Sequence, residues 1–353
     1  MTHEDADIHI RTEGRAGRIT LNRPGALNAL TWEMSLAIEA ALDDWRDDAA
    51  VELLIIDAAG DKAFCAGGDI AELYRTGRAG DYGYGRRFWS DEYRMNAKIF
   101  EFPKPVVSLM QGFVMGGGVG VGCHASHRIV DPGAQIAMPE CGIGLVPDVG
   151  GSLLLARAPG RAGEYLGVTA TRMSAGDAVF AGFADGCLPR DAWPDMVAEL
   201  CESGRIDAAE RPCKEAPPTS ELSTLMDDIT THFGGETLGD ILRSLRADDG
   251  AFAAAALKQM GRNAPLSMGC AIEMIHRLRG PSAEIRRALD LEYRFTFRAM
   301  EHGDFLEGIR AAIIDKDRDP HWKHDLHDLP DTAVSRMLMP LGEDALDLEE
   351  ETR

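Results

Sequence analysis

With 353 residues, 45% of them hydrophobic and 27% charged, the chain has the composition of a soluble globular protein and a length that fits about two domains. A formal net charge of −21 argues against nucleic-acid binding, which wants a basic face, yet leaves room for an anionic small ligand held by backbone N–H groups. No run approaches the ~18 apolar residues of a membrane span, so no membrane partner is expected.

Residues 8–12 (IHIRT) and 16–21 (AGRITL) alternate apolar and polar side chains around Glu13-Gly14, the pattern of a hairpin. The start, MTHEDADIHI, is acidic and unlike a secretory or Arg-rich transit segment, which makes the cytoplasm the expected location. After NRPGALNAL, Thr31 is a plausible N-cap for WEMSLAIEAALDDWRDD, whose apolar residues at 34, 37/38, 41/42 and 45 line one helical face. VELLIID (51–57) then reads as a buried strand, and strand, helix, strand at this spacing signals an α/β unit.

KAFCAGGDI (62–70) is a glycine-containing loop after that strand, the place where α/β folds bind ligands. A helix over 88–100 ends at Pro103 and Pro105, and Val106 to Met110 is the next strand. The glycines 116–118 follow it, so the layout of strand, glycine turn and helix recurs. Consecutive glycines let backbone N–H groups approach a ligand with no Cβ in the way, and the unpaired N–H groups of a helix start favour negative charge. Two such loops at equivalent places can converge on one point. Glu140 and Asp148 come later, each directly after a proline, as candidates for acid, base or nucleophile. Asp148, before Val149-Gly150-Gly151-Ser152, is equally placed to N-cap the next helix.

Helices are expected at 152–158, 161–168 and 174–181, and RPCKEAPPTS (211–220) is the candidate boundary. Beyond it the pattern is helical at 221–232, 237–246, 251–260, 267–278 and 282–302, ending in a solvated acidic run, EDALDLEEE. This divides the chain into 1–210 and a helical C-terminal region, 211–353. No internal repeat of fixed period is visible. The seven cysteines form no C-x-x-C pair and read as reduced, buried small hydrophobes. Cys65 and Cys123 flank the two loops without a base beside them in sequence. His321, His324 and His327 have a metal-like spacing but lie in a polar segment, so no metal is expected.

NRPGALNAL, KAFCAGGDI, MGGGVGVG, MPECGIGLVPDVGG and EGIRAAIIDKDRDPHW together resemble the crotonase (enoyl-CoA hydratase/isomerase) superfamily, and within it the 3-hydroxyisobutyryl-CoA hydrolase branch. The likeness runs from about 22 to 322. It implies an α/β fold, a crotonase-like core of repeated ββα units followed by a helical C-terminal region. It implies an acyl-CoA thioester whose carbonyl oxygen lies between the N–H groups of Gly68 and Gly117. It also implies roles for Glu140, Asp148 and Glu92 at the acyl group and for Ala26 and Ala66 along the CoA. CoA would be part of the substrate, with no cofactor, and a homo-oligomer is compatible with the likeness. Hydratases of the superfamily carry a second catalytic glutamate right after the triple-glycine turn, where this chain has Gly120. The lysine that often follows NRP is here Gly25, which leaves Arg23 or Lys62 as candidates for the CoA phosphates.

Three rival readings stand beside this one. GVGCHA (120–125) formally matches a dinucleotide fingerprint, but the acidic residue that should end a second strand is Glu140, after Pro139. A catalytically dead acyl-CoA-binding relative would have no reason to keep Glu140 and Asp148. A hydratase or isomerase working with one glutamate is the closest rival to the hydrolase.

Overall fold

The computed structural model describes residues 6–349. The chain divides into two compact units. The first comprises the described part of Met1–Gly68 with Arg94–Ala137 and Arg172–Ser223; the second comprises Asp69–Tyr93, Met138–Thr171 and the described part of Thr224–Arg353. These units interleave along the sequence, whereas the expected partition was a single boundary at 210/211. Residues 211–223, from the expected helical region, lie in the first unit.

The first unit carries the strands β1 (Ile8–Glu13), β2 (Ala16–Leu21), β3 (Leu53–Ala58), β4 (Ala63–Cys65), β5 (Val106–Met110), β6 (Phe113–Met115), β7 (His127–Val130), β8 (Gln135–Ala137) and β9 (Gly186–Cys187). Six form one sheet in the order β1-β2-β3-β5-β7-β9, and β4-β6-β8 form another. Among the strands of the described residues the β1–β2 hairpin alone is antiparallel, and the other strand pairs are parallel. The strands alternate between sheets along the chain. β3, β5 and β7 enter the larger sheet, and the strand following each enters the smaller one. This is the expected ββα repeat, with connections so unequal that no fixed period survives in the sequence.

Local chemistry explains the elements. β3 (LLIIDA) and β5 (VVSLM) are almost wholly buried, as strands inside a parallel sheet are. The helix Trp32–Arg46 starts where Thr31 Oγ1 accepts the Met34 N–H at 3.2 Å, and it buries Met34, Ile38, Leu42 and Trp45. Each such side chain contributes roughly 1.5–3 kcal/mol. Helices Trp193–Ser203 and Asp207–Lys214 were not anticipated, because each contains a proline. Pro194 sits in the first turn, where no N–H is needed. Pro212 lies inside its helix, so the start of RPCKEAPPTS is a helix end, not a linker.

In the second unit the helices Gly151–Arg157, Ala162–Thr169, Leu238–Arg246, Ala251–Met260, Pro265–Leu278 and Ile285–His302 lie close to their expected spans. The helix expected over 88–100 begins earlier and runs Tyr82–Phe100. Glycine ordinarily weakens a helix, but a Cβ on Gly85 would come within 2.3 Å of Met300 Cε. Gly85 serves close packing against the Ile285–His302 helix. No helix of the described residues is long and apolar enough to cross a membrane.

One buried amide fixes the turn after NRP. Asn28, with φ 54°, donates through Nδ2 to the Ala59 and Ala63 carbonyls, both at 2.9 Å. Its Oδ1 accepts the Arg23 N–H at 2.8 Å. Replacing Asn28 by Ala strands three backbone groups, so the unfolding free energy should fall by about 2–4 kcal/mol. Chemical denaturation checks this; an unchanged midpoint would mean that the turn stands without its amide.

Candidate active site

Within the first unit, the two glycine loops leave adjacent parallel strands. β4 ends at Cys65 and β6 at Met115, and their parallel pairing puts both ends on the same edge of the smaller sheet. Gly67 (φ 116°) and Gly116 (φ 50°) take backbone conformations that favour glycine. A Cβ on Gly118 would stand 2.3 Å from the Cys65 carbonyl oxygen, so the helix start is pressed against β4. Gly117 opens the helix Gly117–Gly122, and its N–H has no intrahelical acceptor. Gly68 is bridged by Leu30, whose N–H donates to the Gly67 carbonyl at 2.9 Å. Bonds of a parallel bridge straddle the partner residue, which turns Gly68's own N–H to the opposite side. Gly120 is buried as the fourth residue of the same short helix.

The Ala66 N–H donates to the Leu27 carbonyl at 3.0 Å, tying the 66–68 loop to the Pro24–Ala26 turn. The structure thus brings Ala26 and Ala66 together, with Ala26 exposed. Of the two basic candidates, Arg23 is already engaged: Nη1 donates to the Ala29 carbonyl at 2.6 Å, and Nε lies 3.4 Å from Asp7. Lys62 is exposed.

Within the second unit, four buried carboxylates gather. Glu92 lies on the helix Tyr82–Phe100, Glu140 opens a one-turn helix Glu140–Ile143, Asp148 follows it, and Glu292 comes from Ile285–His302. No Lys or Arg of the described residues forms an ion pair with any of them. The Tyr93 hydroxyl donates to Asp148 Oδ2 at 2.8 Å. Glu140 Oε2 is buried with no hydrogen-bond partner among the described residues.

Burial is the first cause of every pKa shift here. It lifts Asp148 to about 7 against the hydrogen bonds from Tyr93 and its own N–H. Burial and then the Asp148 charge hold Glu92 and Glu140 well above the usual carboxylate range. Glu292 rises to about 8, opposed by hydrogen bonds from Ser152 and Gly150. Such a set can hold a proton and a negative charge together near neutrality, which suits acid–base work.

Asp148 does not cap the following helix with its side chain. The N-cap of Gly151–Arg157 is Gly150, and its capping acceptor is the Glu292 carboxylate: Oε2 takes the Gly150 N–H at 2.8 Å and Oε1 the Ser152 N–H at 3.1 Å. Val149, between, is buried with φ 54°, unusual for a β-branched residue. Tyr93, Ser152 and Glu292 were missed in the sequence. The one available signal was a carboxylate, Glu292, on the same helical stripe as Ala288 and Ala299.

Cys65, Cys123, Cys141 and Cys270 are buried and all seven cysteines are free thiols. Burial pushes Cys123 up to about 12 and Cys141 well above its ordinary value. Among the described residues no group of three or more His, Cys, Asp or Glu is arranged to hold a metal ion.

A family model described as enoyl-CoA hydratase/isomerase matches residues 16–338. The chain belongs to this family. Among curated relatives, the mitochondrial 3-hydroxyisobutyryl-CoA hydrolase of Rattus norvegicus is 36% identical over 350 residues, 96% of this chain and 90% of that protein. The protein of the same name from Gallus gallus is 33% identical over 362 residues, 98% and 92% of the two chains. Among solved structures, an enoyl-CoA hydratase from Rhodobacter sphaeroides 2.4.1 is 56% identical with a TM-score of 0.92, over 97% of this chain and 100% of that one. A carnitinyl-CoA dehydratase from Mycobacterium thermoresistibile is 36% identical with a TM-score of 0.91, over 98% and 100%. With these relatives the crotonase fold expected from the motifs is established.

The raised acids have a consequence for stability. Folded Asp148 and Glu292 bind protons more tightly than the unfolded chain does. Their contribution to stability is therefore present below about pH 4 and lost as pH rises through about 7 and 8. The melting temperature should fall less between about pH 5 and about pH 8 in Asp148→Asn than in the parent, since asparagine has no proton to lose. Thermal unfolding across that range checks this; equal falls would show that Asp148 is not a raised buried acid.

Proposed function

We propose that the chain hydrolyses a short branched 3-hydroxyacyl-CoA thioester, 3-hydroxyisobutyryl-CoA first among them, to the free acid and CoA. The observation that carries this reading is that Glu140 and Asp148 are both buried in one cluster without a cation, together with glycine at position 120. The curated relatives named 3-hydroxyisobutyryl-CoA hydrolase, matched over nearly the whole chain, support it.

Thioester hydrolysis needs donors for a developing oxyanion, a base or nucleophile, and a proton for the departing thiolate. In this reading the N–H groups of Gly68 and Gly117 are the oxyanion donors, each of a kind worth ~2.7–4 kcal/mol in the transition state. Glu140 either takes a proton from water as it attacks the carbonyl carbon, or attacks directly to give an anhydride that water then opens. Collapse of the tetrahedral intermediate breaks the C–S bond, and the proton held by the Glu140–Asp148 pair goes to the thiolate. Asp148 orients water or the substrate hydroxyl, Glu92 binds the acyl end, and Ala26 and Ala66 lie along the CoA. No cofactor enters this scheme. The reaction would serve valine degradation, in the cytoplasm by proposal, with a homo-oligomer compatible and no nucleic-acid or membrane partner.

The second reading is a hydratase or isomerase with a single glutamate, favoured by the 56% identical structure described as an enoyl-CoA hydratase. Water addition across a C=C bond is served by two carboxylates, one holding water and one delivering a proton. Gly120 has no side chain for either task.

The two readings part in one experiment. Thiol release from 3-hydroxyisobutyryl-CoA is followed beside loss of enoyl absorbance from crotonyl-CoA. Expected are CoA release from the first and slow or no hydration of the second. Glu140→Gln should lower kcat for CoA release by at least ~100-fold, the scale of a lost acid–base group. Fast hydration without thiol release would promote the second reading, and a folded Glu140→Gln protein with full turnover would remove Glu140 from the chemistry.

A further inference from the structure

Glu292 is a buried acid to which the scheme above gives no task. It stands on the inward stripe of Ile285–His302, fully buried, with Ala288 one turn before it and Thr296 one turn after. Both of its oxygens are used on one short stretch of backbone. Oε2 accepts the Gly150 N–H at 2.8 Å, and Oε1 accepts the Ser152 N–H at 3.1 Å and the Ser152 hydroxyl. Gly150 has no side chain to cap the helix that follows it, so the acceptor comes from another element.

What this clamp holds is the residue next to Asp148. Val149 is buried in a left-handed conformation, which persists in a β-branched residue only when its surroundings impose it. On its C-terminal side the imposing group is Glu292. On its N-terminal side Asp148 is fixed by the Tyr93 hydroxyl, which donates to Oδ2 at 2.8 Å. Both ends of Asp148-Val149-Gly150 are thus held by side chains from other elements, Tyr93 and Glu292.

We propose that Glu292 is a positioning residue, whose two carboxylate oxygens hold the Val149 turn in its strained form and so aim Asp148 for thioester hydrolysis. The inference rests on the reading of Asp148 as a group acting in that reaction. A carboxyl group is needed because each of its oxygens accepts a backbone N–H, while the Ser152 hydroxyl can pair with Oε1 whether or not that oxygen carries a proton. Glutamine offers one acceptor and turns an NH2 group on the other N–H donor, and aspartate is one methylene too short.

The test is a double-mutant cycle on the intact protein: parent, Glu292→Gln, Asp148→Asn and the double variant, assayed for CoA release, with thermal unfolding to confirm folding. Glu292→Gln should lower kcat by about 10–100-fold, the scale of an ångström-sized misplacement, with KM changed by less than about threefold. In the Asp148→Asn background the same change should cost less than about twofold, since a residue that acts through Asp148 has nothing left to aim. Equal losses in the two backgrounds, or full turnover in a folded Glu292→Gln protein, would overturn the positioning role and leave the hydrolase reading intact. Undiminished hydrolysis by Asp148→Asn, or no CoA release by the parent, would overturn both. If Glu292→Gln does not fold, Ser152→Ala removes one donor from the clamp and takes its place in the cycle. A loss of about threefold or more in the parent background alone then supports the inference, and an additive loss or none overturns it.

Discussion

A negative charge taken out of water without a cation beside it is the constraint on which the second unit depends. Placing Asp148 in a buried cluster raises its ordinary carboxylate pKa to about 7, and burial, followed by the Asp148 charge, pushes Glu92 and Glu140 upward as well. Four like-charged groups in one apolar place cannot all ionise, so the cluster must keep protons. What holds it together is hydrogen bonding: a tyrosine hydroxyl on Asp148 and two backbone N–H groups on Glu292. Glu164 shows the contrast within the same unit. It is equally buried, but Arg161, His276 and Arg279 surround it and its pKa drops to about 2. A structural carboxylate is neutralised by partners; a reactive one is left short of them.

In the proposed reaction the first unit meets the opposite requirement, since its loops would leave donors rather than acceptors without partners. Parallel pairing of β4 and β6 brings two strand ends to one edge, and Gly118 lets the second loop press on the first. The opening N–H of the helix Gly117–Gly122, like that of any α-helix, has no acceptor within the helix. Side chains would only obstruct such an arrangement. That is why glycine occupies so much of 116–122.

The glycine loops and the proline-flanked carboxylates were legible because each depends on residue type and order along a short stretch. Thr31 as a cap and the stripe through Trp45 were legible for the same reason. The three-residue strands β4, β6 and β8 were not, since three residues carry no period, and their pairing is decided by partners some fifty residues or more distant for β4 and β6. The first turns of Tyr82–Phe100 were not legible either, because a glycine serving close packing, as Gly85 does, looks the same in sequence as one that breaks a helix. Asp148 as a helix cap misled differently. The local pattern was right, but a carboxylate far along the chain, Glu292, had taken the position. Tyr93 was invisible beside Glu92, because only the fold tells which of two adjacent residues reaches Asp148.

The buried thiols have a bearing on the product. Each turnover of the proposed reaction sets free a molecule that is itself a thiol. Disulfide exchange proceeds through thiolate, and a thiol whose pKa is pushed up has little of it. Cys123 stands at about 12 and Cys141, next to Glu140, stands well above its ordinary value. Both are sealed from solvent. These two thiols are therefore kept out of exchange with the free or oxidised CoA of the pool that the proposed reaction feeds.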